Sequence, residues 1–297
     1  MQLYYQKKQG DSYTTIKEVI KNYFGISDRL LIKLKKTHSL LRNGTSILHI
    51  NETIDSNDEI AVLLDAPEET SILPTKMDLS ILYEDDAYLV LDKPAGIPVH
   101  PSLLHYTDSL SNGIAFYFSQ KDFKKKVRIV TRLDRNTSGL VIVAKNEYIQ
   151  ESLNRQMQNH TFIKKYLGIV EGKFEQKEGT IKAPIGRKEN TIIEREVRPD
   201  GKDAITYYRV LQETKYFSLV EFTLETGRTH QIRVHSSYLG HPIIGDSLYG
   251  HFSPFINRQA LHCHFVSFYH PITKKLVSYE ASLPEDTKNL LEQNKNS

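Results

Sequence analysis

Asp134 lies between Arg132 and Arg135 in the stretch TRLDRNTSGLVIVAKN, and it is the side chain of this sequence best placed to do chemistry. Asp-Arg-Asn-Thr-Ser-Gly is turn-forming, and it runs directly into the apolar stretch LVIVAK. A solvated turn and a carboxylate held at the mouth of a pocket both fit this pattern. A second cationic stretch is LETGRTHQIRVHSSYLGHPIIGD. There a strand ends at Gly227, and Ile232, His235, Ser236 and Leu239 mark one face of a helix stopped by Gly240. Arg228 at the entrance and Arg233 one turn in put guanidinium groups beside free backbone N–H groups. Such a place favours an anion, either a phosphate or the carboxylate of Asp134.

The C-terminal third is rich in histidine and invites a metal reading. His262 and His264 would share a strand face with Cys263 on the other, and His230, His235, His241 and His251 follow one another nearby. The helical pair His230 and His235 is spaced i, i+5, and no glutamate of the metalloprotease kind stands beside it, so no metal is expected. Asp85 and Asp86 in YEDDAYLV read as a hairpin turn. No glycine pattern of a dinucleotide or triphosphate site and no nucleophile elbow is present, so no cofactor is expected either.

Apolar residues make up 39% and charged residues 25% of the 297, the balance of a globular protein. No apolar run approaches the roughly 18 residues of a membrane helix. The start, MQLYYQKKQGDSY, lacks a secretory core, and Cys263 is the single cysteine. A cytoplasmic monomer without a membrane partner is expected. The net charge of +3 hides two basic islands. Between residues 21 and 42, six cations, among them Lys33, Lys35 and Lys36, face one acid. Between 121 and 135, seven, among them Lys125, face two. Islands of this kind suit a polyanion such as RNA, or two solvated faces.

The elements that must position these residues fall into two groups. Residues 1–66 read as a small α/β module: a helix through Ile16, Val19, Ile20 and Phe24, a second helix through Leu30, Leu31, Leu34 and Leu41 that presents Lys33, Lys35 and Lys36, then short strands around the Asn43-Gly44 turn. Residues 67–78 break both periodicities and read as a linker. Residues 79–297 alternate strands and turns with few helices, one of them capped by Asn146. The expected class is α+β, with a mixed, mostly antiparallel sheet and flanking helices.

Four motifs in order, YLVLDKPAGIPVHP, TRLDRNTSGLVIVAKN, KKYLGIVEG and TGRTHQIRVHSSYLGHPIIGD, resemble the RluA-type family of RNA pseudouridine synthases, over about residues 80–280. The first 65 residues resemble, more loosely, the RNA-binding module named after ribosomal protein S four. The resemblance implies the pseudouridine synthase fold, an isomerase without cofactor, and structured RNA as partner, with ribosomal large-subunit RNA favoured and transfer RNA possible. It makes Asp134 the catalytic aspartate, Tyr166 the tyrosine that stacks on uracil, and Arg233 the cation paired with the aspartate. Arg132 becomes the residue that can fill the stack vacated by a flipped uridine, and Leu261 an apolar wall of the pocket. Arg135, Arg228, Lys125 and the three helical lysines are the remaining RNA-contact candidates. Where the family often has His before Arg-Leu-Asp, this chain has Thr131, which can hydrogen-bond but cannot reproduce an imidazole. Two other readings compete: a non-catalytic RNA-binding or assembly factor on the same fold, and a zinc hydrolase using the C-terminal histidines.

Overall fold

The computed structural model describes residues 1–293; the last four residues of the expected 79–297 region lie outside the described residues. Residues 2–63 form a four-stranded antiparallel sheet in the order Gln2–Gln6, Glu59–Leu63, Leu40–Arg42, Thr45–Ser46. Thr15 and Glu18 form a capping box at the first helix, which opens into a π-helical turn over Val19–Tyr23 and stops at Gly25 with φ +68°. Ser27 caps the second helix, Asp28–Lys36, by accepting from the Leu30 amide. Ile16, Val19 and Ile20 are fully buried beneath the sheet together with Leu30, Leu31 and Leu34. The second helix is shorter than its apolar spacing predicts. It ends at Lys36, and Leu41 belongs to a strand instead, because Leu40, Leu41 and Arg42 pair with Val62, Ala61 and Ile60. Tertiary pairing here overrides a short helical period. Asn43 and Gly44, with φ of 48° and 79°, turn that strand back on its neighbour.

Asp65 to Ser80 carries no regular element, yet it is strapped down rather than free. The Glu68 amide donates to the Lys124 carbonyl, and the Asn112 side chain donates to the Leu73 carbonyl. Met77 packs on Gly113, in the middle of the helix Leu110–Gln120, at a position where a Cβ would already be tight. That helix escapes a reading by periodicity because Ser111, Asn112 and Gly113 are buried along with its apolar residues.

The second sheet has ten strands. Its path runs Glu178–Lys182, Ile205–Glu213, Phe217–Leu224, Ile163–Glu171, Leu261–Tyr269, Ser138–Ala144, Tyr88–Lys93, Ile81–Glu84. Leu276–Glu280 and Arg128–Ile129 pair off this path. Among the described residues its strand pairs are antiparallel except one: Leu261–Tyr269 runs parallel to Ser138–Ala144 through His262 opposite Ser138 and Cys263 opposite Gly139. This junction requires glycine. Gly139 has φ +111°, and a Cβ there would overlap the Cys263 backbone. Every residue of Ser138–Ala144 is buried, so the strand that follows the Asp134 turn is the spine of the core.

Candidate active site

The turn that carries Asp134 is fixed from below. Thr131, only 4% exposed, accepts the Ile142 amide on its hydroxyl at 2.9 Å, so this position closes the turn onto its own strand. The Thr137 amide donates to the Asp134 carbonyl. Lys93, from LDKPAG, is fully buried and donates to the carbonyls of Pro94, Ile97 and Arg135 at 2.8, 3.0 and 3.0 Å. Burial pushes its amine down to about 7; Asp134 opposes that fall and Arg258 adds to it. The Gly96 amide and the Arg135 side chain then exchange hydrogen bonds with the opposite backbone at 2.9 and 3.0 Å. Two loops distant in sequence are thereby clamped into one rim.

Above the rim the helix Gln231–Tyr238 presents Arg233, 7% exposed, to two carboxylates. Its Nε and Nη2 donate to Asp246 Oδ2 and Oδ1 at 2.6 and 2.8 Å, and its Nη1 donates to Asp134 Oδ2 at 3.0 Å. Burial works against this charge, but Asp246 and then Asp134 outweigh it and push the guanidinium pKa up, so the cation is permanent. Arg233 also lies over the Tyr249 ring, 4.9 Å from its centroid. His230 begins the helix in the left-handed region, φ 58°, with Nδ1 against the Tyr249 hydroxyl at 2.8 Å and Nε2 3.9 Å from Asp134 Oδ1. Burial pushes this imidazole down, Asp134 opposing. Asp134 keeps 26% of its side chain exposed, with Oδ2 gripped by Arg233 and Oδ1 only 3.9 Å from the His230 imidazole.

Asp134 lines a cavity of about 940 Å³ together with Arg132, Arg135, Tyr166, Arg228, Arg233 and Leu261 among others. Seven of the residues singled out from sequence thus meet around one hollow. Tyr166, 6% exposed, and Leu261, 4% exposed, supply its wall from adjacent strands. Burial first, then the Cys263 thiol, hold the Tyr166 phenol well above its ordinary pKa, so its resting form is the neutral hydroxyl. Arg132 and Arg135 are exposed at the rim, and Arg228 ties itself to the Asp203 carbonyl at 2.9 Å.

The lysines go elsewhere. Lys33 pairs with Glu68 and with Glu147, the latter at 3.0 Å, and Lys125 donates to the carbonyls of Leu64 and Ala66, both at 2.7 Å. Both fasten the first 66 residues to the rest, so these two RNA-contact candidates already have acceptors within the protein, whereas Lys35 and Lys36 remain exposed. The histidines are structural: His235 bonds Thr206 and the Ala183 carbonyl, His262 bonds Ser138 and the Ala281 carbonyl, and His241 stacks on Phe174. Among the described residues no group of three or more His, Cys, Asp or Glu could hold a metal ion. Asp85 is a turn residue, as its sequence suggests, but a partnered one, receiving His270, Tyr83 and two backbone amides. Sequence reasoning missed Asp246, Tyr249 and the non-metal role of His230. The one available signal was the Gly245-Asp246 pair closing the last motif, since nothing local says that this acid reaches back to Arg233.

Comparison with known proteins agrees with this geometry. The family model described as RNA pseudouridylate synthase matches residues 87–238. YhcT of Bacillus subtilis, named an uncharacterized RNA pseudouridine synthase, is 43% identical over 84% of this chain and 82% of its own. The ribosomal large subunit pseudouridine synthase D of Blochmanniella floridana is 37% identical over 76% of each chain. Human RNA pseudouridylate synthase domain containing 4 shares the fold, with a TM-score of 0.60 and 22% identity over 73% of this chain and 93% of that one. Among the described residues no helix is long and apolar enough to cross a membrane. With its α+β fold, its four motifs and relatives of this closeness, the chain belongs to the RNA pseudouridine synthase family and is an isomerase acting on RNA.

Proposed function

We propose that this enzyme converts uridines of ribosomal large-subunit RNA to pseudouridine, with Asp134 as the catalytic group. The observation that carries the reading is Asp134 itself, a half-exposed carboxylate that lines a cavity large enough for an extruded nucleotide, with Oδ2 held at 3.0 Å by a permanently charged arginine. The reaction breaks the bond from ribose C1′ to N1 of uracil, turns the ring, and joins C1′ to C5, after which the C5 proton leaves and N1 gains one. No redox change is involved. An ionised carboxylate beside the sugar serves either as nucleophile at C1′ or as base toward C2′, and both routes need the geometry that Arg233 and Asp246 maintain. Tyr166 and Leu261 then form the wall against which the detached uracil turns, and Arg132 at the exposed rim fills the stack that the uridine leaves.

Phosphate contacts from Arg132, Arg135 and the open face of Arg228 supply affinity, and pocket shape selects the base. Lys35 and Lys36 carry the contact of the N-terminal module with RNA. The working unit is a monomer, and ribosomal RNA as substrate puts the reaction in the cytoplasm. The test is to map pseudouridines in total RNA from cells with and without the gene, and then with Asp134→Asn in its place. Loss of a large-subunit ribosomal site in both altered strains is expected. Retention of every site with Asp134→Asn would sink the assignment, and loss confined to transfer RNA would redirect the substrate.

A further inference from the structure

Tyr166 shares the cavity with a second residue of its own strand. Lys164 lies two residues before it on the strand Ile163–Glu171, hence on the same face and about 6.6 Å away along the chain. It lines the same cavity. Of the cations around it, Arg132 is exposed at the rim, whereas three have protein acceptors: Arg233 holds Asp246 and Asp134, Arg228 holds the Asp203 carbonyl, and Arg135 holds the Gly96 carbonyl. Lys165, next in the chain, pairs with Glu221 at 3.2 Å. Lys164 is half-buried, and among the described residues its amine enters no hydrogen bond or ion pair. It faces the backbone of the loop before the Arg233 helix, where a Cβ built on Gly227 would lie 3.7 Å from Nζ. Burial pushes its pKa down, with only the Cys263 thiol opposing.

An ammonium on a half-buried side chain, facing the cavity and without a protein acceptor, gains a charge-assisted partner when an anion binds there. Resting on the reading of this cavity as the uridine site, we propose that Lys164 anchors the phosphodiester adjoining the target uridine while Tyr166 faces its base. The reaction itself demands such an anchor. Uracil must detach and turn while C1′ stays in place, so the sugar-phosphate has to be held independently of the ring. A lysine is a compact point charge, suited to a phosphate oxygen and indifferent to the rotation of a neutral base. Its separation from Tyr166 is on the scale of that between a nucleobase and its own phosphate.

The experiment uses a stem–loop RNA containing the mapped uridine, and the same RNA with a neutral methylphosphonate at the linkage 5′ or 3′ to it. Wild type, Lys164→Met and Lys164→Arg are compared. Neutralising one of the two linkages should weaken binding by wild type about tenfold, the loss of one charge-assisted contact, and should weaken Lys164→Met no further. Lys164→Met should also flatten the slope of log affinity against log salt by about 0.7, and Lys164→Arg should restore most of both. A purely structural lysine would not move the salt slope. An unchanged slope in folded Lys164→Met, or equal sensitivity of both proteins to methylphosphonate, overturns the anchor. If Lys164→Met fails to fold, wild type indifferent to both neutral linkages overturns it. Wild type that turns over the RNA yet ignores both linkages removes Lys164 alone, whereas wild type that makes no pseudouridine removes the reading of the cavity.

Discussion

Glu68 and Asp134 are both acids flanked by basic residues in sequence or space, and the structure uses them in opposite ways. Glu68 has its side chain 8% exposed and both oxygens filled: Arg128 donates to them at 2.6 and 2.7 Å, and Lys33 adds a third bond. Asp134 is 26% exposed and lines a cavity; Arg233 fills one oxygen, and the other has only the His230 imidazole, 3.9 Å away. A saturated carboxylate is a staple, here joining the strap, the N-terminal helix and the second sheet. An unsaturated one beside a cation that is itself fixed elsewhere has acceptor capacity left for a substrate, which is what the proposed catalytic role of Asp134 requires. The difference lies in how many acceptor sites the fold leaves empty, and residue type does not reveal it.

The two acids should therefore fail in opposite ways. Asp134→Asn should lower the single-turnover rate of pseudouridine formation by about 10⁴-fold or more and leave the thermal midpoint nearly unchanged. A rate within tenfold of wild type would break the contrast. Asp246→Asn comes next. Asp246 is fully buried and also accepts the Leu248 and Tyr249 amides at 3.0 and 3.2 Å, so removing its charge frees Arg233 from its fixed side. The expected loss is about 10²-fold in rate through misplacement together with about 3 kcal/mol of stability, read by single-turnover kinetics and by urea unfolding. Normal kinetics in a destabilised protein would show that Asp134 needs no second carboxylate behind its arginine.

Glu68→Gln should show the reverse pattern. Burial opposes the Glu68 charge, but Arg128 and Lys33 outweigh it and hold the carboxyl down from 4.5 to about 2. A depressed folded value means that the stabilisation is fully present above pH 4.5 and is lost as pH falls towards 2. Wild type should lose on the order of 3 kcal/mol across that window, Glu68→Gln should lack that acid-dependent part, and turnover at pH 7 should stay within about threefold. Parallel acid profiles for the two proteins would mean that Glu68 does not carry the junction.

What the sequence disclosed follows the same division. The strands Tyr88–Lys93, Ser138–Ala144 and Ile163–Glu171 were legible because an apolar run bounded by turn residues is a local signal. The Asp134 turn was legible as turn chemistry. Its partners from other segments, Tyr166, Arg233 and Leu261, came by resemblance, since periodicity alone reads Tyr166 as a core aromatic. Asp246, Lys93 and Glu68 were hidden because their roles are made by contacts 13, 42 and 60 residues away in the chain. The end of the second helix at Lys36 was misjudged for the same reason, since Leu41 answers to a strand partner and not to its own helix.

The basic helix gives the finest form of the comparison, because three lysines within four residues of one another divide between the two uses. Lys33 reaches across to Glu68 and Glu147, while Lys35 and Lys36 are exposed. On charge alone all three are equal candidates for RNA. On geometry, Lys35→Ala with Lys36→Ala should weaken binding of long ribosomal fragments about threefold to tenfold at moderate salt and flatten the salt dependence, with short stem–loops little affected. Lys33→Met should lower the thermal midpoint and leave the salt slope unchanged, because a cation already paired inside the protein releases no counterion from RNA. The slope is the decisive reading, since lost stability could weaken binding in either variant but could not selectively remove a counterion. If Lys33→Met flattens the slope as much as the double alanine does, its pairs with Glu68 and Glu147 open when RNA arrives, and the staple and the contact are one residue.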